Sequence, residues 1–383
     1  MIHEFFGPKK LIAGENSIDL VPNEIKALNK ANPLIVTDAG IVERGVLRRL
    51  ISPLDEARMS YKVFSDVEPD PSMEVMDKGG QVCREGKHDC IIALGGGSSI
   101  DAAKAISVVA TNKGAVRNYL GIGAVYKQDP LPVIAIPTTA GTGSEVTLVA
   151  VVSDKKNKVK LGMKSPKLMP VAAVLDPTLL SSLPPRLIAS TGLDAFTHAL
   201  ESFMSIRSSI MTRELSLDAA RMIFDSVIPF RDNPKDMELG LKMLYGSFLA
   251  GLAFTNGGVG AMHALAHSIG SQYHVAHGVA CGLFVTRVLR ENMDAALDRY
   301  GAFLAGLGYE TKGLSATACA EKLIEVMDEF LRKLEIPATL TAMGIKLEVL
   351  PEMITAIMKD PPLMANPKKY DEETIRRLLE SAR

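Results

Sequence analysis

The sequence predicts two halves of different class, an α/β half over residues 1–183 and an all-helical half over residues 184–383. Three observations carry this. Short unbroken apolar runs alternate with helix-length stretches through the first half. Prolines then cluster in Asp176-Pro-Thr-Leu-Leu-Ser-Ser-Leu-Pro-Pro185, and beyond them apolar residues recur at three- and four-residue spacing while strand-like runs largely cease. At 383 residues the chain is also long enough for two cores, because single hydrophobic cores stop growing below that length.

Taken in order, Pro33–Asp38, Asp89–Leu94 and Leu131–Ile136 are β-branched apolar runs of the kind found in strands buried on both faces. Between the runs, Ser72–Glu85 and Ser98–Thr111 read as helices, so the pattern is a repeated βαβ unit with a parallel sheet and right-handed crossovers. In the second half, Arg213–Val227, Met237–Phe254, Met262–Tyr273 and Cys319–Leu334 carry the i, i+3, i+4, i+7 apolar spacing of amphipathic helices. Eighteen methionines and no tryptophan suit adaptable helix packing.

Composition narrows the function. Charged residues are 23% with a formal net charge of −1, so no basic surface advertises nucleic acid or anionic lipid as a partner. No segment approaches the roughly 20 apolar residues of a membrane span, and the N-terminus lacks the apolar run of a secretory leader, which makes a cytoplasmic location the expectation. The cysteines at 83, 90, 281 and 319 share no C-x-x-C spacing and are expected to be reduced core or near-surface thiols.

Two loops carry nucleotide chemistry. Gly95-Gly-Gly-Ser-Ser-Ile-Asp-Ala-Ala-Lys104 follows a strand and opens a helix, with Ser98 or Ser99 as the expected cap. Backbone amides at such a start hold phosphate where glycines allow close approach. The competing reading is an ordinary tight turn, since the G-x-G-x-x-G spacing is missing. A second polar loop, Pro137-Thr-Thr-Ala-Gly-Thr-Gly-Ser-Glu-Val-Thr147, follows another strand. Two such loops at successive strand ends favour a nucleotide, and a Rossmann-like dinucleotide-binding domain is the expectation for this half. Asp38 ends its own strand, where a carboxylate accepts bonds from an adenosine ribose and repels a 2′-phosphate, which favours NAD over NADP.

The second half carries histidines. Asp194 and His198 are four apart on one helical face, and by themselves read as a helix-start acid and a hydrogen-bonded histidine. The segment Met262–Gly278, however, holds four of the seven histidines, at 263, 267, 274 and 277. Neutral imidazole is a common ligand for iron and zinc. Leu-Ala between His263 and His267 excludes the H-E-x-x-H arrangement of metalloproteases, which disfavours hydrolysis.

With these four motifs in order, the sequence resembles the iron-containing (group III) alcohol dehydrogenase family across essentially its whole length. The resemblance implies a dehydroquinate synthase-like architecture, a dinucleotide-binding domain followed by a helical metal-binding domain. It implies that Asp194, His198, His263 and His277 bind a divalent metal, Fe²⁺ by family and Zn²⁺ as the alternative that the ligand types also allow. Gly95, Gly96, Gly97, Ser98, Thr138, Thr139, Thr142 and Asp38 would line NAD, with Lys160 a further contact. Thr147, Val149, Val151 and Phe254 would border the substrate, and because no arginine stands among them to clamp an anion, a small alcohol, diol or aldehyde fits.

The chemistry implied is hydride transfer between that substrate and NAD, with the metal polarising the oxygen, in a homodimer or larger assembly of dimers. His267 is the candidate proton shuttle, its alternative being a histidine that only orients a ligand. A zinc enzyme like glycerol dehydrogenase is the competing function, with a lyase like dehydroquinate synthase behind it. Two departures from the family pattern stand out, Ala276 for a common proline and Phe284-Val-Thr286 for a commoner Leu-Leu-Pro.

Overall fold

The computed structural model describes residues 4–155 and 159–383. The chain divides into two compact units, one comprising Phe6–Ser182 with Pro234–Leu244, the other comprising Leu183–Asn233 and Tyr245–Arg383 together with Glu4 and Phe5. The short segment Pro234–Leu244 thus belongs with the α/β unit, although its sequence period is helical like that of its neighbours.

The α/β unit is built on a sheet of six strands. These are β1 (Lys10–Ala13), β2 (Pro33–Asp38), β3 (Lys62–Val67), β4 (Cys90–Gly95), β6 (Val133–Pro137) and β9 (Ala172–Leu175), in the order β1-β9-β6-β4-β2-β3. Every pairing in it is parallel. β4 and β6 are buried along their whole length, which is why their sequences run apolar without alternation. Helices Met73–Glu85 and Gly97–Thr111 make the crossovers into and out of β4. β3 lies beyond β2, and β6 lies beyond β4 on the other side, so the connections diverge from the β2–β4 pair. Ligands of open α/β sheets bind outside the carboxyl ends of strands at such a reversal. Asp38 ends β2, Gly95 ends β4, and Pro137, opposite Gly95 in register, ends β6.

A second sheet was not foreseen. β5 (Gly121–Ile122), β8 (Val159–Lys164) and β7 (Val149–Asp154) form it in that order, and β7 and β8 are an antiparallel hairpin. Val149 and Val151 therefore lie on a hairpin strand outside the main sheet.

The other unit is helical, as its spacing predicts. Helix Pro185–Met204 starts on the Pro184-Pro185 pair, where the fixed φ of proline suits the first helical turn. Phe196 anchors it against Phe303 and Phe330, at ring distances of 6.1 and 5.1 Å. Helices Ile210–Asp232, Tyr245–Gly257 (the part of Met237–Gly257 that belongs to this unit), Ala261–Tyr273, His277–Gly282, Val285–Gly306 and Ala316–Lys333 follow. One contact fixes the register of the histidine segment on the first helix. A Cβ on Gly278 would lie 1.8 Å from the Ser190 carbonyl oxygen, so only glycine lets the backbone after His277 press onto that helix. Ala276, in place of the common proline, has φ −55°, within the range that proline would impose, and the helix at His277 starts as a proline would start it.

Candidate metal centre and dinucleotide turn

Asp194 and His198 project from one face of helix Pro185–Met204, His263 from helix Ala261–Tyr273, and His277 from the first turn of His277–Gly282. They converge on one atom. Asp194 Oδ1 lies 3.4 Å from His277 Nε2, 3.6 Å from His263 Nε2 and 4.0 Å from His198 Nε2. Asp194 and His263 are buried, and neither Asp194 Oδ1 nor His263 Nε2 has a hydrogen-bond partner among the described residues. Buried polar atoms without partners are costly, and their clustering calls for an ion. Ligands about 2.0–2.2 Å from a tetrahedral metal lie about 3.4 Å from one another. The shortest separations match that edge, so the residues fit a divalent cation.

Burial and the crowding of rings around one carboxylate set the charge of the groups at the centre. Burial disfavours charge on Asp194, but the neighbouring rings of His198 and His277 outweigh it and hold the carboxyl well below the ordinary carboxylate range. Desolvation lowers the proton affinity of His277 against the pull of Asp194, and neutral imidazole is the form that binds metal. His198 is clamped between the rings of Phe254 and His263, at centroid distances of 4.3 and 4.4 Å.

Glu201 escaped the sequence reading. Its Oε2 lies 2.6 Å from His263 Nδ1, and its Oε1 accepts the Met262 backbone N–H at 2.6 Å. One carboxylate thus caps helix Ala261–Tyr273 and orients the imidazole that faces Asp194, the carboxylate–histidine arrangement usual behind metal ligands. The available signal was its place seven residues after Asp194, two helical turns along the same face. Cys281 was also missed: its Sγ lies 3.8 Å from His277 Nε2, and the donor atoms of Asp194, His263, His277 and Cys281 all lie within 4.8 Å of one another. All four cysteines are buried and unpaired with one another.

His267 stands one turn beyond His263, outside that group of donors. Its Nδ1 lies 2.7 Å from Asp360 Oδ2, its side chain is 38% exposed, and its ring is stacked on His277 at 5.4 Å.

In the α/β unit the two expected loops pack on one another. Gly95 has φ +153°, and a Cβ there would lie 2.4 Å from Ser99 Oγ; one on Gly97 would lie 2.8 Å from Thr142 Cγ2. Helix Gly97–Thr111 has Gly96 at its N-cap and no side chain capping it. The expected Ser98 or Ser99 cap is therefore corrected. Ser99 Oγ instead donates to Asp38 Oδ2 at 3.1 Å, while Asp38 Oδ1 accepts the Ile41 N–H, so Ser99 is engaged across the sheet end and not at its own helix start. Thr138 donates its backbone N–H to the Gly95 carbonyl, and Thr139 Oγ1 lies beside Gly96. Lys160 is exposed and paired with Asp70 at 2.6 Å.

Lys104, fully buried, donates to Thr147 Oγ1, to the Thr147 carbonyl and to the Val149 carbonyl, at 2.8, 3.0 and 2.8 Å. Thr147 is itself buried, its hydroxyl held by Lys104. Asp101 Oδ2 accepts the Val151 N–H at 2.9 Å. The motif helix thus grips the start of β7 through Asp101 and Lys104, for which the sequence suggested no task. Val151 is 40% exposed, and Phe254 is the one substrate candidate beside the metal cluster in its own unit.

The model of the iron-containing alcohol dehydrogenases matches residues 8–177, and that of the C-terminal part of the Fe-containing alcohol dehydrogenase family matches residues 188–383. The chain belongs to the iron-containing alcohol dehydrogenase family. It is an oxidoreductase. Among the relatives of this alcohol dehydrogenase is the NAD-dependent methanol dehydrogenase of Bacillus methanolicus, 32% identical over 378 residues, with 99% of each chain covered. A crystal structure of 1,3-propanediol oxidoreductase superposes with a TM-score of 0.97 at 32% identity, covering 100% of both chains. The sulfoacetaldehyde reductase of Bifidobacterium kashiwanohense, solved in complex with NAD⁺, gives 0.90 at 28% identity, covering 100% of this chain and 99% of that one.

Proposed function

We propose that this alcohol dehydrogenase interconverts small primary alcohols or diols and their aldehydes with NAD, using a divalent cation held by Asp194, His198, His263 and His277. The observation that carries the reading is Asp194 Oδ1, buried with no hydrogen-bond partner among the described residues and ringed by three imidazole nitrogens. Such a cation supplies Lewis acidity to an alcohol or carbonyl oxygen, while the nicotinamide supplies or accepts the hydride. Iron is the family's metal, and zinc is the alternative that three imidazoles and a carboxylate also suit.

The residues of the chain do the rest. Glu201 orients His263, and Phe254 fixes the plane of His198 and offers an apolar wall to a short substrate. The backbone amides at Gly97 and Ser98 receive the pyrophosphate, with Gly95, Gly96, Thr138, Thr139 and Thr142 around them and Lys160 nearby in the same unit. Asp38 accepts ribose hydroxyls on its remaining lone pairs and repels a 2′-phosphate, which supports NAD over NADP. Relatives named for methanol and 1,3-propanediol support a small, uncharged substrate. Four unpaired cysteines suit the reducing cytoplasm, and a homodimer or assembly of dimers follows the family, checked by light scattering.

A panel of short alcohols, diols and aldehydes, assayed with NAD(H) and NADP(H) under anaerobic ferrous conditions, tests the reading. Turnover of primary alcohols with a preference for NAD is expected; no turnover of any member would sink it. His267, in contact with His277 and hydrogen-bonded to Asp360, is the proposed path for the released proton. His267→Phe should lower kcat by about 100-fold, with partial recovery on adding imidazole buffer. Unchanged kcat removes His267 from the mechanism.

A further inference from the structure

We propose that Cys281 is a further donor at the metal centre, and that its thiol lets the site take a thiophilic divalent cation such as zinc or cobalt(II). The inference rests on the metal reading of the Asp194 cluster and deepens it. Cys281 stands four residues after His277 in the short helix His277–Gly282, and helical side chains lean toward the N-terminus, which carries its sulfur over His277. Sγ lies 3.8 Å from His277 Nε2. A metal with sulfur at about 2.3 Å and nitrogen at about 2.05 Å in tetrahedral array separates them by about 3.6 Å.

The thiol does not stand alone. It shares its surroundings with Asp194 Oδ1 and His263 Nε2, buried atoms with no hydrogen-bond partner among the described residues, on residues 3% and 2% exposed. A buried cysteine ordinarily packs as a small hydrophobe, and Cys83 does so among Phe64, Met76 and Ile106. Cys281 instead faces two imidazoles and a carboxylate. His198 also lies 4.0 Å from Asp194 Oδ1, so four donors surround that oxygen, five with the carboxylate itself, and the ion selects among them. A thiophilic ion recruits sulfur, whereas thiolate has less to offer a harder cation. As the metal–sulfur bond forms, the S–H bond breaks and its proton passes to buffer.

The test is the absorption spectrum of the full-length, metal-free protein after anaerobic addition of one equivalent of Co²⁺. The wild type is expected to show visible d–d bands together with an intense near-ultraviolet sulfur-to-cobalt charge-transfer band. Cys281→Ser should keep the former and lose the latter, while Cys83→Ser keeps both. Wild-type d–d bands without the charge-transfer band, or a band that survives in Cys281→Ser, overturn the thiol assignment and leave the metal centre standing. Failure of the wild type to take up cobalt overturns both. The wild-type spectrum decides the question even where Cys281→Ser does not fold.

Discussion

At the metal centre a single carboxylate oxygen organises three imidazoles, and the residue that makes the arrangement firm is one step removed. Glu201 spends one oxygen on His263 and the other on the Met262 amide, so the ring that faces Asp194 and the helix that carries it are held by the same group. Replacing Glu201 with Gln should weaken metal affinity by about 10–100-fold, read by competition titration against a chelator. Unaltered affinity would show that the helix alone positions His263. The i, i+4 spacing of Asp194 and His198 and the clustering of histidines were legible in the sequence because local helix geometry expresses them, while the proposed ligand set came from the family resemblance. Glu201 and Cys281 were not, since their roles depend on which helix the histidine segment meets. The decisive close approach of Gly278 to Ser190 spans 88 positions, and no local period reports it.

Among the elements, the crossover helix Gly97–Thr111 does two jobs. Its first turn starts on the glycine turn without a side-chain cap, and its buried face grips β7 through Asp101 and Lys104. The burial has consequences for pH. Desolvation pushes Glu145 up from 4.5 to about 7, opposed by Lys104, and lowers Lys104 from 10.5 to about 8, opposed by Asp101 and Glu145. Between pH 4.5 and 7 the folded state keeps a proton on Glu145 that the unfolded chain gives up, so stability falls as pH rises through that window. Its slope is at most about 1.4 kcal/mol per pH unit. Between pH 8 and 10.5 the sign reverses for Lys104, because the folded chain has shed a proton that the unfolded one retains. Denaturant titrations across pH should therefore show a flatter profile from 4.5 to 7 for Glu145→Gln than for the wild type. Parallel profiles would mean that Glu145 is charged in the folded state.

The strands β2, β4 and β6 and the helices marked in the sequence were readable to within a few residues, because apolar runs and helical periods are local. The hairpin of β7 and β8 was not, since its alternation is short and its partners are set by the grip of Lys104 and Asp101. Nor could the sequence show that Ser99 reaches Asp38, 61 positions away, instead of capping its own helix.

Over the whole molecule, the glycine turn proposed for the dinucleotide lies in one compact unit and the proposed metal donors in the other. Among the described residues no helix is long and apolar enough to cross a membrane. The division near the proline cluster was legible because it coincides with a change of period. The assignment of Pro234–Leu244 to the α/β unit was not, because that segment keeps the helical period of its neighbours. Chemistry that needs both units depends first on whether the centre holds an ion. The deciding measurement is metal content set beside NAD-linked oxidation of a short primary alcohol, for the wild type and Asp194→Asn, after stripping and anaerobic reloading with Fe²⁺ or Zn²⁺. The expected result is about one ion per chain in the wild type, activity that rises with occupancy and vanishes on stripping, and neither binding nor activity in Asp194→Asn. Full turnover by the stripped wild type, or undiminished metal binding by Asp194→Asn, would contradict it.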